Sequence, residues 1–285
     1  MLSVKPDRPV DALTVAVSRE IDSIARELKL PYFLAGAMAR DIVLTHVYGI
    51  ETGRATRDVD FGVAVSTWEQ FDLIKHKLIR TGRFSATDKI TQRIYYKIPG
   101  ANAGYPVDII PFGGVEAPPL SIAWPPEKNA VMNVVGYDEA LTTAILVKIE
   151  DTLTVSIASL PGLALLKLFA WQDRYTETPK DALDLVTLFR NYHAAGNQER
   201  IYGEELALLE AVDFDIDLAS PRLLGKDVRH IASAAALEEA EKLLNDAQKM
   251  DRLVTQMSVE LKTADDSIAV AERLLEQFKV GLAQD

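Results

Sequence analysis

Apolar residues recur at helical spacing near the start of the chain. Val10, Leu13, Val17, Ile21, Ile24 and Leu28 stand three and four apart, which predicts an amphipathic helix over residues 10–28. Tyr32-Phe33-Leu34 is a short apolar run that stops at Gly36, as a strand does on entering a turn. Residues 37–48 return to helix, with Met38, Ile42 and Val43 on one side. From Asp58 to Val65 the period changes to two. Val59, Phe61 and Val63 face one way, and the segment reads as a strand. A helix follows over 67–81, closed by Gly82. Strands are predicted over 92–98 and 105–110, with Ala101-Asn102-Ala103-Gly104 as the turn between them. The Pro-rich stretch around 117–126 reads as a loop, and the segments near 131–135 and 144–157 as further strands.

After Pro161 the pattern is helical almost throughout, and glycine is sparse. Helices are predicted over 162–175, 180–193 and 203–211. In the tail, Leu243, Ala247, Met250, Val254, Met257 and Leu261 form one apolar stripe. A polar break at 263–266 interrupts it, with Asp265 or Asp266 as a cap. Ile268, Ala271, Leu275, Phe278 and Leu282 resume the stripe. With so few heptads, a helical hairpin packed on the body is favoured over a coiled-coil dimer. The expected organisation is α+β over residues 1–158 and helical over 159–285.

Composition narrows the chemistry. The 285 residues contain no cysteine, which excludes disulfides, thiolate zinc sites and cysteine nucleophiles. The N-terminal segment lacks the basic start and apolar run of a signal peptide. Lys167 interrupts the most apolar stretch, LPGLALLKLFAW, before it is long enough to span a bilayer. A cytoplasmic location without membrane contact is therefore expected. The net charge of −11 opposes general coating of DNA or RNA, so a polynucleotide substrate would need a local basic patch. The four histidines, His46, His76, His193 and His230, lack metal-ligand spacing and read as structural.

The chemistry concentrates in carboxylates. Asp58 and Asp60 stand two apart on a predicted strand and so project to one side. Two adjacent carboxylates repel unless a cation neutralises them, so the pair is either a site for Mg²⁺ or a solvated strand face. In Tyr105-Pro106-Val107-Asp108-Ile109-Ile110 a lone Asp108 sits in an apolar strand. Burial of an unpaired carboxylate is costly, so Asp108 has to reach the sheet edge, pair with a cation or bind metal. If its strand neighbours that of Asp58 and Asp60, three carboxylates converge, as two-metal phosphoryl transfer requires. Upstream, Phe33-Leu34-Ala35-Gly36-Ala37 is strand, small-residue turn and helix start. Such a turn allows a phosphate to approach the backbone, and it also simply permits tight packing.

In that order these residues resemble the signature of the DNA polymerase β-like nucleotidyltransferase superfamily. Gly36 matches its glycine, Asp58 and Asp60 its acidic pair, and Asp108 its third carboxylate. Ala37 departs from the Gly or Ser of that signature, which removes a hydroxyl contact to phosphate but leaves the backbone contacts. Within the superfamily the chain resembles the AbiEii-type toxins. Arg54-Ala55-Thr56-Arg57-Asp58-Val59-Asp60 matches their Arg-x-Thr-x-Asp-x-Asp run. Lys167, Arg174, Lys180-Asp181 and Asp184-Leu185 match a downstream helical motif. This likeness spans about residues 30–190. Residues 37–41, ending in Arg40-Asp41, are also similar to a motif of CCA-adding polymerases, whose later motifs are absent.

The resemblance implies a polymerase β-like core, a mixed twisted sheet with helices, followed by a helical C-terminal region. It implies transfer of a nucleoside monophosphate from an NTP to an acceptor hydroxyl, with pyrophosphate released. Asp58, Asp60 and Asp108 would hold Mg²⁺ or Mn²⁺, and Lys167 would contact the triphosphate. Gly36, Ala37, Arg40, Arg57, Arg174, Asp181 and Asp184 would serve nucleotide binding, the last two either directly or by orienting Lys167. The acceptor would be an RNA such as tRNA, with a separate antitoxin protein as partner. The alternatives are a small-molecule nucleotidyltransferase of the antibiotic type, and a non-catalytic nucleotide-binding or interaction protein that kept the fold.

Overall fold

The structure, a computed structural model, describes residues 1–53, 56, 58–87, 90–261 and 266–284. The chain divides into two compact units, Met1–Ser159 and Leu160–Asp285.

The first unit carries β1 (Leu2–Ser3), α1 (Ala12–Leu28), β2 (Tyr32–Ala35), α2 (Gly36–Asp41), β3 (Val59–Val65) and α3 (Trp68–Arg80). Then follow β4 (Phe84–Ala86), β5 (Arg93–Tyr96), β6 (Tyr105–Gly113), β7 (Ser121–Ala123), β8 (Val131–Asn133), α4 (Tyr137–Thr142), β9 (Ile145–Glu150) and β10 (Leu153–Ile157). Eight of these strands make one mixed sheet in the order β1-β9-β10-β2-β3-β6-β5-β4. β3 and β6 are parallel neighbours at its centre, while β2 runs antiparallel to β3 and β5 antiparallel to β6. The two short strands β7 and β8 pair separately, inside and just after the stretch expected to be a plain loop.

Alternation along the strands gives the sheet two distinct faces. One carries Tyr32, Phe61 and Val63 beneath α1 and α3. There Tyr32 donates to Asp22 of α1 at 2.7 Å and its ring lies 6.2 Å from that of Phe61. Asp11 caps α1 by accepting from Leu13 and Thr14, which fixes the start of the predicted helix. The other face carries Phe33, Gly62 and Phe112, with the rings of Phe33, Phe112 and Tyr137 within 6.0 Å of one another. Gly62 is required there, because a Cβ would strike the ring of Phe33. The predicted helix over 37–48 begins as α2 and continues as a π-helix, Ile42–Tyr48.

The second unit is helical: α5 (Leu160–Arg174), α6 (Lys180–Asn191), α7 (Gln198–Tyr202), α8 (Leu206–Glu210), α9 (Ile216–Ile231), α10 (Ala234–Leu244), α11 (Ala247–Met257) and α12 (Ser267–Ala283). The tail stripe expected to run unbroken from Leu243 to Leu261 is divided. Asp246 accepts from Lys249 N at 3.1 Å and starts α11 afresh, because a capping carboxylate satisfies amides that a continuous helix would have paired. Asp266 caps α12, whereas Asp265 lies outside the described residues. Helix α12 packs along α9 through Gly225 and Gly281, where a Cβ on either would overlap the backbone of the other helix. No helix among the described residues is long and apolar enough to cross a membrane.

Candidate active site

One transverse row of the sheet collects the chemistry of the first unit. Ala35 is registered against Asp60, Asp60 against Asp108, and Asp108 against Arg93. Residues registered across neighbouring strands point to the same side, about 4.8 Å apart. The side chains of Asp60, Asp108 and Arg93 therefore share the face that also bears Phe33, Gly62 and Phe112. Val59 and Phe61, interleaved with the acids, are fully buried on the opposite face and hold the strand in that phase. Asp58 lies one residue ahead of β3 and is partly buried. Its reach is visible at Tyr105, whose phenol is pushed up chiefly by burial, with Asp11, Asp58 and Asp60 adding and the hydrogen bond with Thr14 opposing. Tyr105 and Thr14 hydroxyls stand 3.2 Å apart.

Gly36 closes the row beside Ala35. Its φ of +69° is left-handed, and a Cβ there would overlap Oδ2 of Asp60. Only glycine meets both demands, so the carboxylate of Asp60 rests directly against the backbone of the turn. Ala37 follows in the first turn of α2, whose start has no side-chain cap.

Asp108 is 8% exposed and receives a fork from Arg93: Nε donates to Oδ1 at 2.7 Å and Nη2 to Oδ2 at 2.6 Å. The hydrogen bonds to Asp108 keep the guanidinium charged far above the ordinary range, and Tyr95 adds to the effect. Asp108 gives both oxygens to Arg93, and no three carboxylate or imidazole side chains among the described residues stand close enough to hold a metal ion as they are. The donor set nonetheless suits a hard divalent cation: two registered carboxylates, a third acid one residue ahead of β3, and a cation already drawn onto one of them. Arg93 escaped the sequence analysis. The available signal was the demand that buried Asp108 find a cation, together with an arginine in the neighbouring predicted strand.

Arg40 is 2% exposed, and its Nε and Nη2 donate to Asp41 Oδ1 at 2.8 and 2.6 Å. The same oxygen accepts from the Thr52 hydroxyl at 3.0 Å, tying α2 to the segment that leads toward Asp58. Arg54, Ala55 and Arg57 lie outside the described residues.

Lys167, Arg174, Asp181 and Asp184 come together in the second unit. Lys167 and Arg174 are seven residues apart on α5, and Asp181 and Asp184 three apart on α6, so each pair shares a helix face. Lys167 Nζ stands 2.9 Å from Asp181 and 2.6 Å from Asp184. Arg174 donates to both oxygens of Asp181, at 2.6 and 2.8 Å. Lys167 is only 8% exposed, so its stem does not carry the ammonium out to water. Burial pushes the ammonium down, but Asp184 and Asp181 outweigh it and the group is raised overall. Burial likewise pushes Asp181 up, and Lys167 and Arg174 bring it down to about 2.

A family model described as Nucleotidyl transferase AbiEii toxin, Type IV TA system, matches residues 24–273. No curated protein matches the chain. Among solved structures, an antigenic nucleotidyltransferase-like protein from Paracoccidioides brasiliensis is 14% identical, at a TM-score of 0.43, with 73% of this chain and 93% of that one covered. A CCA-adding enzyme in complex with ATP is 17% identical, at a TM-score of 0.32, over 95% of this chain and 70% of that one. The Thermotoga maritima CCA-adding enzyme complexed with tRNA is 15% identical, at a TM-score of 0.26, over 96% and 70%.

Proposed function

The chain belongs to the AbiEii nucleotidyltransferase family; its activity is nucleotidyl transfer, and on that premise we propose that it moves a nucleoside monophosphate from an NTP to a hydroxyl of tRNA. We assign the reaction to the row of Asp60 and Asp108, with Asp58 ahead of it, and make it dependent on Mg²⁺ or Mn²⁺. The observation that carries this reading is the registered Asp60–Asp108 pair, with Gly36 pressed against Asp60. The family name also suggests a separate antitoxin as partner.

Asp58 and Asp60 would hold the divalent ion, and Asp108 would complete the set. When bound, that ion would supply charge neutralisation at the triphosphate, which is the dominant need in phosphoryl transfer. The acceptor oxygen attacks the α-phosphorus in line, the bond to the β-phosphate oxygen breaks, and pyrophosphate leaves. Asp108 helps to activate the acceptor oxygen. Gly36 and Ala37 offer backbone N–H groups to phosphate, and Arg40, paired with Asp41, follows in the same helix. Arg57 is assigned to the nucleotide on family resemblance alone. In the helical unit, Asp181 and Asp184 orient Lys167, which is assigned to the triphosphate on family resemblance alone. Arg174, with its side chain 49% exposed, is assigned to the nucleotide on family resemblance.

The net charge of −11 favours a small acceptor as the second reading, and one assay separates the two. The protein is incubated with each labelled NTP, Mg²⁺ and total RNA, with Asp60→Asn alongside. Label on tRNA that falls at least about 100-fold in Asp60→Asn is expected, the scale of losing one preorganised electrostatic contact. Label only on an added small acceptor rejects tRNA, and undiminished transfer by Asp60→Asn rejects the assigned site.

A further inference from the structure

We propose that Arg93 is the resident counter-cation of Asp108, and that Asp108 takes up a divalent ion only by releasing it, so that Arg93 sets the metal affinity of the row before nucleotide arrives. This rests on the metal-dependent reading of that row.

Arg93 occupies both oxygens of Asp108, so no oxygen of that carboxylate is turned wholly toward another cation. The pair is unequal in its access to water: the arginine side chain is 27% exposed and that of the aspartate 11%. Release therefore returns a cation to solvent at modest cost and leaves a buried anion at high cost, unless another cation replaces the first. A divalent ion at Asp108 removes that penalty, which makes the guanidinium and the metal competitors for one carboxylate.

The exchange needs no movement of the sheet. The backbone of Arg93 is fixed, with its N–H on Ile90 O at 3.2 Å, while Gln92 O accepts from Ile109 N at 2.9 Å. Lys75 further pins the approach to β5 by donating to Thr91 O. Only the arginine side chain has to swing, along the face where Tyr95, two residues on, already contributes to holding its charge. Arg93 is thus a positioning residue that acts through Asp108. Asp108 has a neutralised resting state without metal and becomes a ligand only when a stronger cation arrives.

Mn²⁺ titration of the full chain without nucleotide, followed by electron paramagnetic resonance, tests this. Arg93→Gln is expected to bind Mn²⁺ on the order of tenfold more tightly than the unsubstituted protein, because a positive charge a few ångströms from the ion is removed. Arg93→Lys keeps the charge but loses the fork, and is expected to tighten binding by about threefold. Adding Asp108→Asn to either variant should abolish the gain. A folded Arg93→Gln that binds no more tightly, or a gain that survives Asp108→Asn, overturns the proposal. Should circular dichroism show Arg93→Gln unfolded, Arg93→Lys decides alone, and unchanged affinity there overturns it. Mn²⁺ binding that depends on Asp60 but ignores Arg93 rejects this inference and leaves the metal site standing. Binding that ignores Asp60 removes both.

Discussion

The two units handle partly desolvated charge in opposite ways. In the sheet, Asp108 meets Arg93, whose side chain keeps contact with water, on a face that also carries Asp60. In the helical unit, Lys167 is matched by two carboxylates that are almost wholly buried, and Asp181 is matched again by Arg174. The first arrangement is a pair with one member in contact with water, on a face that also carries Asp60. The second has two cations for two anions. A buried, balanced cluster is costly to disturb, whereas a pair with one wet member opens more cheaply. The contrast separates a cluster that is locked from a pair that can open.

Removing a cation from each unit challenges that contrast most severely. Lys167→Met should cost about 3–5 kcal/mol in urea unfolding, because two buried carboxylates lose a shared partner. Arg93→Gln should cost clearly less, since one member of its pair is already wet. Equal losses would end that distinction.

A smaller effect is expected on the acidic side of the sheet itself. Gly36→Ala forces a side chain into a left-handed position and onto Asp60. We expect a loss of about 2–3 kcal/mol together with a collapse of nucleotidyl transfer. Full activity in that variant would show that Asp60 does not need its present seat.

The mildest test uses acid. Asp181 titrates at about 2 in the folded protein against 3.8 ordinarily, so its ionised form stabilises the fold by about 2 kcal/mol above pH 4. That contribution is lost as pH falls from about 4 to about 2, where the folded form also takes up the proton. Lys167 is raised and keeps its full contribution over the same window, losing it only in strong alkali. Comparing unfolding at pH 5 and pH 2.5, the protein should lose about 2 kcal/mol more than Asp181→Asn does. Parallel pH profiles would remove Asp181 from the ionised cluster.

The elements that position the site were largely legible because their periods are strong. The two-residue alternation of Val59, Phe61 and Val63 put Asp60 on the opposite face from those three, and β3 has that phase. The unpaired Asp108 in an apolar run announced a missing cation without naming it. The short strand β4 and the short helix α4 escaped notice because three to six residues carry too little periodicity to stand out. Helix α9 was not singled out, since Pro221 lies within it and disguises the pattern that Asp215 initiates. The division of the tail at Asp246 escaped for a related reason: the apolar stripe continues across it, and only the capping hydrogen bond marks the break.

By itself the amino-acid sequence determined which residues are acidic, which alternate, and where glycine permits a turn, because these follow from side-chain chemistry and local backbone preference. It could not determine strand order. That β6 lies beside β3, in the one register that sets Asp108 against Asp60, and that β5 then brings Arg93 to the same row, were decided by the tertiary structure. Such pairings join residues 48 and 15 positions apart along the chain, and the free energy that selects them comes from the burial of Val59, Phe61, Val107 and Ile109 together. No local pattern encodes that sum.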